Sequence, residues 1–456
     1  MVMKANTIFS VGFFCLTLQT EFLYVAQQET ECFDFRMIKK RIRQQERMKK
    51  MALIIGLNSG SSCDGVDCAL ARIEMMEDDQ PGPPEFIDGI SLDWPERLHR
   101  MIWDAFDNKL DLFALSKLNY AIGAFFGVCV KKLLEKTGYK PEDITCIGVD
   151  GQQVYLHQTD REKADAVTDE QYENEFPDLF LDDIYAYGFC FGDGCVVSAY
   201  TDITTVSQFR PADHALGGQG APLMQYVDYC LFRNCEPTMT LNIGGISNVH
   251  KVYKNRDKML AFDCGPGNIM IDYIAKKYFG VPYDKNGDIA ARGKCNPAML
   301  EELLKAPFLQ RPYPRSAWRD DFDVTYSEAM RQKYAHLSDE DVMATYNVFS
   351  AECITRCIKD FTDLSDTKVL YASGGGAFNK TLLKNIQERL PEHMRVCTSM
   401  EIGIPPQFKE AVKFATLAYG AVNSCANNIP GACRARKYGV LGHICVAPRF
   451  AKGTEC

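Results

Sequence analysis

An excess of basic charge is missing from this chain. Its 51 lysines and arginines fall short of its 60 aspartates and glutamates, leaving a formal charge of −9. It therefore lacks the footprint of a general nucleic-acid binder. A phosphorylated ligand is not excluded, because backbone amides hold phosphate without basic side chains. No Cys-x-x-Cys pair occurs among the 19 cysteines, and no His-x-x-x-His pair among the seven histidines. The cysteines at 63/68, 190/195 and 230/235 repeat an i, i+5 spacing that suits neither a zinc knuckle nor a short disulfide scaffold. They read as reduced core thiols of an intracellular, cytoplasmic protein. Also absent is the Gly-x-x-x-x-Gly-Lys-Ser/Thr phosphate loop. The apolar run at 8–18 is too short for a bilayer-spanning helix, and no membrane partner is expected.

What is present reads as an ordinary soluble globular protein, with 46% hydrophobic and 24% charged residues. At 456 residues the chain exceeds one small core, so two lobes are expected. Residues 1–50 stand apart. Lys4 and the 8–18 run resemble a weak secretory signal without a convincing cleavage site, and 36–50 is strongly basic. The simplest account is a dispensable extension or a rarely used upstream start, with a targeting segment as the alternative.

From Met51 the pattern is regular. Strands at 54–57 and 66–73 flank a Gly/Ser/Asn turn, 86–92 adds a third, helices follow at 96–106 and 112–134, and 144–149 is a further strand. This order predicts a mixed sheet flanked by helices. Residues 160–183 hold ten acidic and two basic side chains and read as a solvated loop. A glycine-rich connector at 213–223 then leads to a second strand–turn–strand start at 238–249, an echo of 53–73. A short strand at 259–262 ends on Asp263, followed by Gly265-Pro266-Gly267-Asn268 and a helix. Helices at 297–304, 339–363, 379–390 and 408–424, strands at 368–372 and 396–397, and a strand-like run at 438–441 complete the reading. The expected lobes are 51–220 and 221–407, with the last helix and tail, from 408, returning to the first.

Asp263 is the organising residue. A carboxylate at a strand's end, facing a glycine-walled space, is placed to act as a general base; taken alone, it reads first as an N-cap for the next helix. Turns rich in Gly, Ser and Asn, one per half, fit a nucleotide gripped between two lobes. In the first, Ser59, Gly60, Ser61 and Ser62 offer hydroxyls and backbone, and Asp64 a carboxylate for Mg2+. Ser373-Gly374-Gly375-Gly376-Ala377 lies between a strand and a helix, where a nucleotide commonly sits.

Taken in order, seven blocks carry a resemblance: GLNSGSSCDGVDCAL (56–70), ADHALGGQGAPL (212–223), LNIGGISNV (241–249), AFDCGPGN (261–268), YDKNGDIAARG (283–293), SGGGAFN (373–379) and PPQFKEAVKFA (405–415). Together they resemble the 1,6-anhydro-N-acetylmuramic acid kinase family, including its levoglucosan kinase branch, within the actin/hexokinase-like ATPases. The resemblance implies a two-lobed α/β fold of the ribonuclease H-like type, with mixed five-stranded sheets flanked by helices. It implies ATP and Mg2+ as cofactors, with Asp64 and Glu410 at the metal. The nucleotide contacts it implies are Ser59–Ser62, a second phosphate loop with Asn242, Gly244, Gly245 and Asn248, the Gly265, Gly267 and Asn268 turn, and the adenosine-side Gly374, Gly375, Gly376 and Asn379. Asp263 matches the catalytic Asp, which activates a water to open the anhydro bridge at C1 while O6 takes the γ-phosphoryl group. The related enzymes are often dimers, so a homodimer is expected.

The sugar side departs from the family. Asp150-Gly151-Gln152-Gln153 stands where the family has His-Gly-Gln-Thr, Gln208-Phe209-Arg210 where it has Asp-Phe-Arg, and Arg315-Ser316-Ala317-Trp318-Arg319-Asp320 where it often has Lys-Ser-Thr-Gly-Arg-Glu. Gln152, Arg210, Asp213 and Arg319 are the candidate sugar contacts. Arg210, Arg315 and Arg319 are candidates for a substrate carboxylate or for salt bridges of their own. An ordinary hexose kinase and a non-catalytic sugar or nucleotide sensor remain the alternatives.

Overall fold

The computed structural model describes residues 51–451 except 61, 62, 222, 312, 314, 316 and 318, and only the backbone of 319 and 320. The readings of residues 1–50, Ser61, Ser62 and Trp318 lie outside the described residues. Strands run in the order β1 (Ala52–Asn58), β2 (Gly65–Ile73), β3 (Glu85–Asp93), β4 (Ile144–Val149), β5 (Gln152–His157), β6 (Tyr187–Phe191), β7 (Thr205–Ser207), β8 (Thr238–Ile243), β9 (Ile246–Val252), β10 (Leu260–Pro266), β11 (Val369–Ser373), β12 (Arg395–Thr398) and β13 (His443–Cys445).

They form two mixed sheets, β13-β7-β4-β1-β2-β3 and β10-β9-β8-β11-β12, plus a β5-β6 hairpin. In each sheet an antiparallel meander, β1-β2-β3 or β8-β9-β10, is extended by two parallel strands, β4 and β7 or β11 and β12. The second half thus repeats the topology of the first, as the strand–turn–strand echo implied. Both meanders turn through Gly-containing loops, while the parallel strands follow helical crossovers.

The first sheet gains a sixth strand because β13 pairs antiparallel with β7. This strand lies beyond the run expected at 438–441. The physical reason is local: Asn427 takes both backbone groups of Leu441, accepting from its N–H (2.5 Å) and donating to its carbonyl (3.1 Å). Leu441 is then unavailable to a ladder. A disulfide joins Cys195 to Cys445 on β13, which corrects the reading of all cysteines as reduced thiols. The 160–183 segment also differs from a plain solvated loop. It folds into three short helices over a small cluster of Ala164, Val167, Leu179 and Tyr185.

Helix Leu112–Thr137 covers one face of the first sheet through Leu118, Ile122, Phe126, Val130 and Leu133. Among the described residues it is the one helix long and apolar enough to cross a membrane, and here that stripe is core. Helix Lys409–Val422 covers the other face, packing across β1 and β4. Its backbone sits directly on them: a Cβ at Gly56 would lie 1.9 Å from the Ala411 carbonyl, and one at Gly148 2.0 Å from that of Phe414. Overpacking of this kind costs about 1–3 kcal/mol. The close approach fixes the first turn of the helix, and with it Glu410, beside the β1–β2 hairpin. Helix Asp339–Phe361 backs the second sheet, with Ile354, Cys357 and Ile358 against Met239 and Leu241.

Candidate active site

A row of polar side chains crosses the second sheet. Asn242 on β8 is in register with Asn248 on β9, and Asn248 with Asp263 on β10. Directly opposed residues project from the same face, and each strand step is about 5 Å, so the row spans about 10 Å. At one end the Asn242 amide donates to Glu410 Oε1 at 3.0 Å. At the other end stands Asp263.

Asp263 is not the last residue of its strand. β10 continues to Pro266 through an irregularity between Asp263 and Gly265. The extra residue is Cys264, so Asp263 keeps its register with Asn248 while the strand bends just beyond it. The capping reading is corrected as well. The following helix, Ile269–Phe279, starts behind Asn268 with no side-chain cap. Asp263 Oδ2 instead accepts the Ala317 N–H at 2.7 Å, and the Asp263 N–H donates to the Arg315 carbonyl at 3.1 Å. Oδ1 accepts no hydrogen bond from the described residues. Burial pushes the carboxyl up to about 7, against the Ala317 N–H and the Arg315 charge. A base of that strength is matched to neutral pH.

Arg315 holds this arrangement from behind. Its guanidinium, 8% exposed, donates to the Leu309 and Arg311 carbonyls (3.1 and 3.3 Å) and to Cys357 Sγ (2.6 Å). Its Nε is buried and makes no hydrogen bond with the described residues.

Glu410 sits in a cluster of charge. Burial pushes its carboxyl up, but the Lys413 ammonium at 3.3 Å and the Asn242 amide outweigh that and hold it below the ordinary range. Asp67, at the start of β2, is pushed up to about 6 by burial, with the Glu410 charge adding to the rise. Asp272, in the helix after Gly267, is pushed up to about 7 by burial, with Asp64 adding to the rise. Among the described residues no group of three or more His, Cys, Asp or Glu side chains converges as a metal cage. A magnesium ion needs no such cage, since it takes one or two carboxylates and completes its shell with water and phosphate. Glu410, Asp67 and Asp64 are hard oxygen donors of the right kind. Asp67, Asp272 and Lys413 were not singled out from sequence. The one available signal was Asp67, an acidic residue three positions after Asp64 within a mostly apolar strand.

The loops around this row divide into tied and open parts. Ser59 Oγ donates to the Gly65 carbonyl (3.2 Å) and to Gln152 Oε1, while Gln152 Nε2 reaches the Gly60 carbonyl (3.5 Å). Gln152 is therefore buried against the first loop and braces it. The Gly244 and Gly245 carbonyls accept the N–H groups of Asn268 and Gly267, both at 2.8 Å, locking the second loop to the helix start. Gly265, at φ +133°, accepts Ser247 Oγ at 3.1 Å. Gly374 and Gly376 pack on the end of β8, whereas a Cβ at Gly375 would meet nothing within 4 Å. Gly375 is the open point of that loop. Asn379 caps helix Lys380–Gln387 through the Leu382 N–H at 2.9 Å.

On the expected sugar side, buried Asp150 accepts the Phe209 N–H (3.1 Å) and Arg210 Nε (2.6 Å). Arg210 also donates to the Gly220 carbonyl at 2.6 Å, and the Gly220 N–H donates to Asp213 Oδ2 at 2.8 Å. Arg210 and Asp213 thus stitch the 213–223 connector into a fixed turn. Gln208, at φ +53°, leaves its helix without a side-chain cap, and Asp150, just past the end of β4, accepts the Phe209 N–H instead. Of Arg319 only the backbone is described.

A family model described as anhydro-N-acetylmuramic acid kinase matches residues 52–170 and 182–447, the gap between the two falling in the acidic segment. The chain is 34% identical over 407 residues to the anhydro-N-acetylmuramic acid kinase of Caldanaerobacter subterraneus, covering 87% of this chain and 97% of that one. It is 35% identical over 402 residues to that of Francisella tularensis subsp. novicida, covering 87% and 99%. Among solved structures, the activator of the 2-hydroxyisocaproyl-CoA dehydratase from Clostridium difficile, with bound ADPNP, aligns at a TM-score of 0.39 and 13% identity, over 82% of this chain and 96% of that one. The chain belongs to the anhydro-N-acetylmuramic acid kinase family of sugar kinases.

Proposed function

We propose that the protein is an Mg·ATP-dependent kinase that opens a 1,6-anhydro sugar with water and phosphorylates its O6, with Asp263 as the general base. The observation that carries this is Asp263 itself: a carboxyl in register with Asn248 beside a strand bulge, raised to about 7, holding one N–H on Oδ2 and leaving Oδ1 without a partner among the described residues.

An anhydro sugar has no free hydroxyl at C6, so ring opening must accompany phosphoryl transfer. Asp263 takes a proton from water as its oxygen bonds to C1. The bridge bond to C1 breaks and O6 receives the γ-phosphoryl group of ATP. Glu410, with Asp67 and Asp64, would hold Mg2+, which neutralises charge on the phosphates. Gly375 and the first loop offer backbone where bulky side chains would obstruct a nucleotide. Residues 51–220 and 221–407 act as lobes that close over the sugar and exclude bulk water.

The test is an assay of levoglucosan, anhydro-N-acetylmuramic acid and glucose, each with ATP and Mg2+. ADP formation and product with an anhydro sugar are expected. Phosphorylation of glucose but of neither anhydro sugar would overturn the reading in favour of an ordinary hexose kinase.

The pH dependence follows with its sign. Below about pH 7 Asp263 is protonated and cannot accept a proton. The kcat/KM for the anhydro sugar should rise about tenfold per unit between pH 5 and 6 and level off above 7. A profile measured from pH 5 to 9 that stays flat on the acid side contradicts the assignment.

A further inference from the structure

We propose that Asn248 is a catalytic residue whose amide oxygen is the second acceptor orienting the water that Asp263 deprotonates. This rests on the reading of Asp263 as the base and adds what that reading lacks. A water molecule has two protons. One acceptor leaves it free to rotate about a single hydrogen bond, whereas two acceptors fix the direction of its lone pair.

Two independent observations point to Asn248. It is in direct register with Asp263 across the β9–β10 pair, so the two side chains share a face about 5 Å apart. Its Oδ1 is also buried with no hydrogen-bond partner. Buried polar atoms are nearly always paired, and an orphan marks a place for water or ligand. Its other neighbour in the row differs in this respect, since Asn242 is committed to Glu410 at 3.0 Å. Sequence alone groups Asn248 with the second phosphate loop. In the fold it lies on β9 itself, with Gly244 and Gly245 in the turn before the strand.

The electron count closes. One water O–H proton passes to Asp263 Oδ1, and its bonding pair becomes the new O–C1 bond. The C1–O6 bond breaks with its pair on O6, which bonds to the γ-phosphorus as ADP departs. The second water proton stays on the new C1 hydroxyl, hydrogen-bonded to Asn248 Oδ1 throughout.

Two variants test this with an anhydro sugar that the wild-type protein phosphorylates. Asn248→Leu should lower kcat about 100-fold, the scale of one lost orienting group, with KM for ATP and calorimetric ADP affinity within threefold of wild type. Asn248→Asp keeps the acceptor and shape but sets a second carboxylate beside Asp263. It should move the acid limb of kcat/KM up by at least one pH unit; it also covers the case in which Asn248→Leu fails to fold. The proposal is overturned if Asn248→Leu keeps kcat within threefold, if its loss is matched by an equal loss of ADP affinity, or if the Asp variant leaves the acid limb in place. A wild-type protein that phosphorylates anhydro sugars with a normal acid limb while these variants behave otherwise sinks this inference alone. One that phosphorylates none sinks the base reading with it.

Discussion

Asp263→Asn should abolish the sugar-dependent reaction, lowering kcat by roughly 10³ or more while leaving the fold intact, since removing a general base costs about 10²–10⁴. The amide oxygen of Asn can still accept the Ala317 N–H, so the loop that carries Arg315 and Ala317 keeps its anchor. Stability should move the other way. The Asp263 carboxyl rises from 3.8 to about 7 on folding, because burial disfavours its charge. Between those values the folded state binds more protons than the unfolded one, so this group's contribution falls as pH rises from about 4 to 7. The Asn variant removes that penalty. At pH 8 its Tm should equal or exceed that of wild type, and at pH 4 the two should agree. A residual rate within tenfold of wild type, or a Tm lower by several degrees at pH 8, would make Asp263 a structural residue.

The second large effect is at Glu410. Replacing a metal-binding carboxylate or its immediate support weakens metal affinity by about 10–100-fold. Glu410→Gln should therefore raise the Mg2+ concentration for half-maximal rate at least about tenfold and lower kcat. Its amide oxygen still accepts from Asn242, so the link between the last helix and β8 survives. Glu410→Ala is the harsher change. It strands Lys413, whose side chain is 7% exposed and whose ammonium lies 3.3 Å from Glu410. Breaking a fully buried pair on one side costs about 3–5 kcal/mol; with Glu410 itself 28% exposed the cost here is smaller, and the Ala variant should still lose thermal stability. A Mg2+ titration of Glu410→Gln that overlays wild type would show that Glu410 serves only to hold Lys413 and Asn242 together.

Much of this molecule was legible in its sequence, and the misses have a common cause. The two meanders were readable because alternation and Gly-rich turns are local signals, and helices such as Glu96–Phe106 announce themselves by their apolar stripe. Asp263 stood out because a carboxylate before Gly-Pro-Gly is rare. The bulge beside it and the contact that holds it were invisible, since they depend on pairing with β9 and on a loop more than 50 residues away. The strand β13 was misplaced for the same reason: Asn427 captures Leu441, and no pattern within 438–445 reveals it. Gln152, Arg210 and Asp213 are candidate sugar contacts by sequence; what the sequence hid is that they also brace the fold, Gln152 against Ser59 and Gly60, Arg210 between Asp150 and Gly220. The cysteines misled because spacing along the chain says nothing about Cys195 and Cys445, 250 residues apart. Residue type locates chemistry, but the partner that tunes each residue comes from tertiary contact.

The central claim is that a single active site both opens the anhydro bridge and phosphorylates the oxygen it frees. Carbon-13 and phosphorus-31 NMR of one turnover series with levoglucosan, ATP and Mg2+ tests it most directly. The account predicts loss of the bicyclic C1 and C6 signals, matched one for one by a reducing sugar 6-phosphate and ADP. A phosphorylated product that retains the intact 1,6-bridge, or ADP formed without any sugar phosphate, would contradict it.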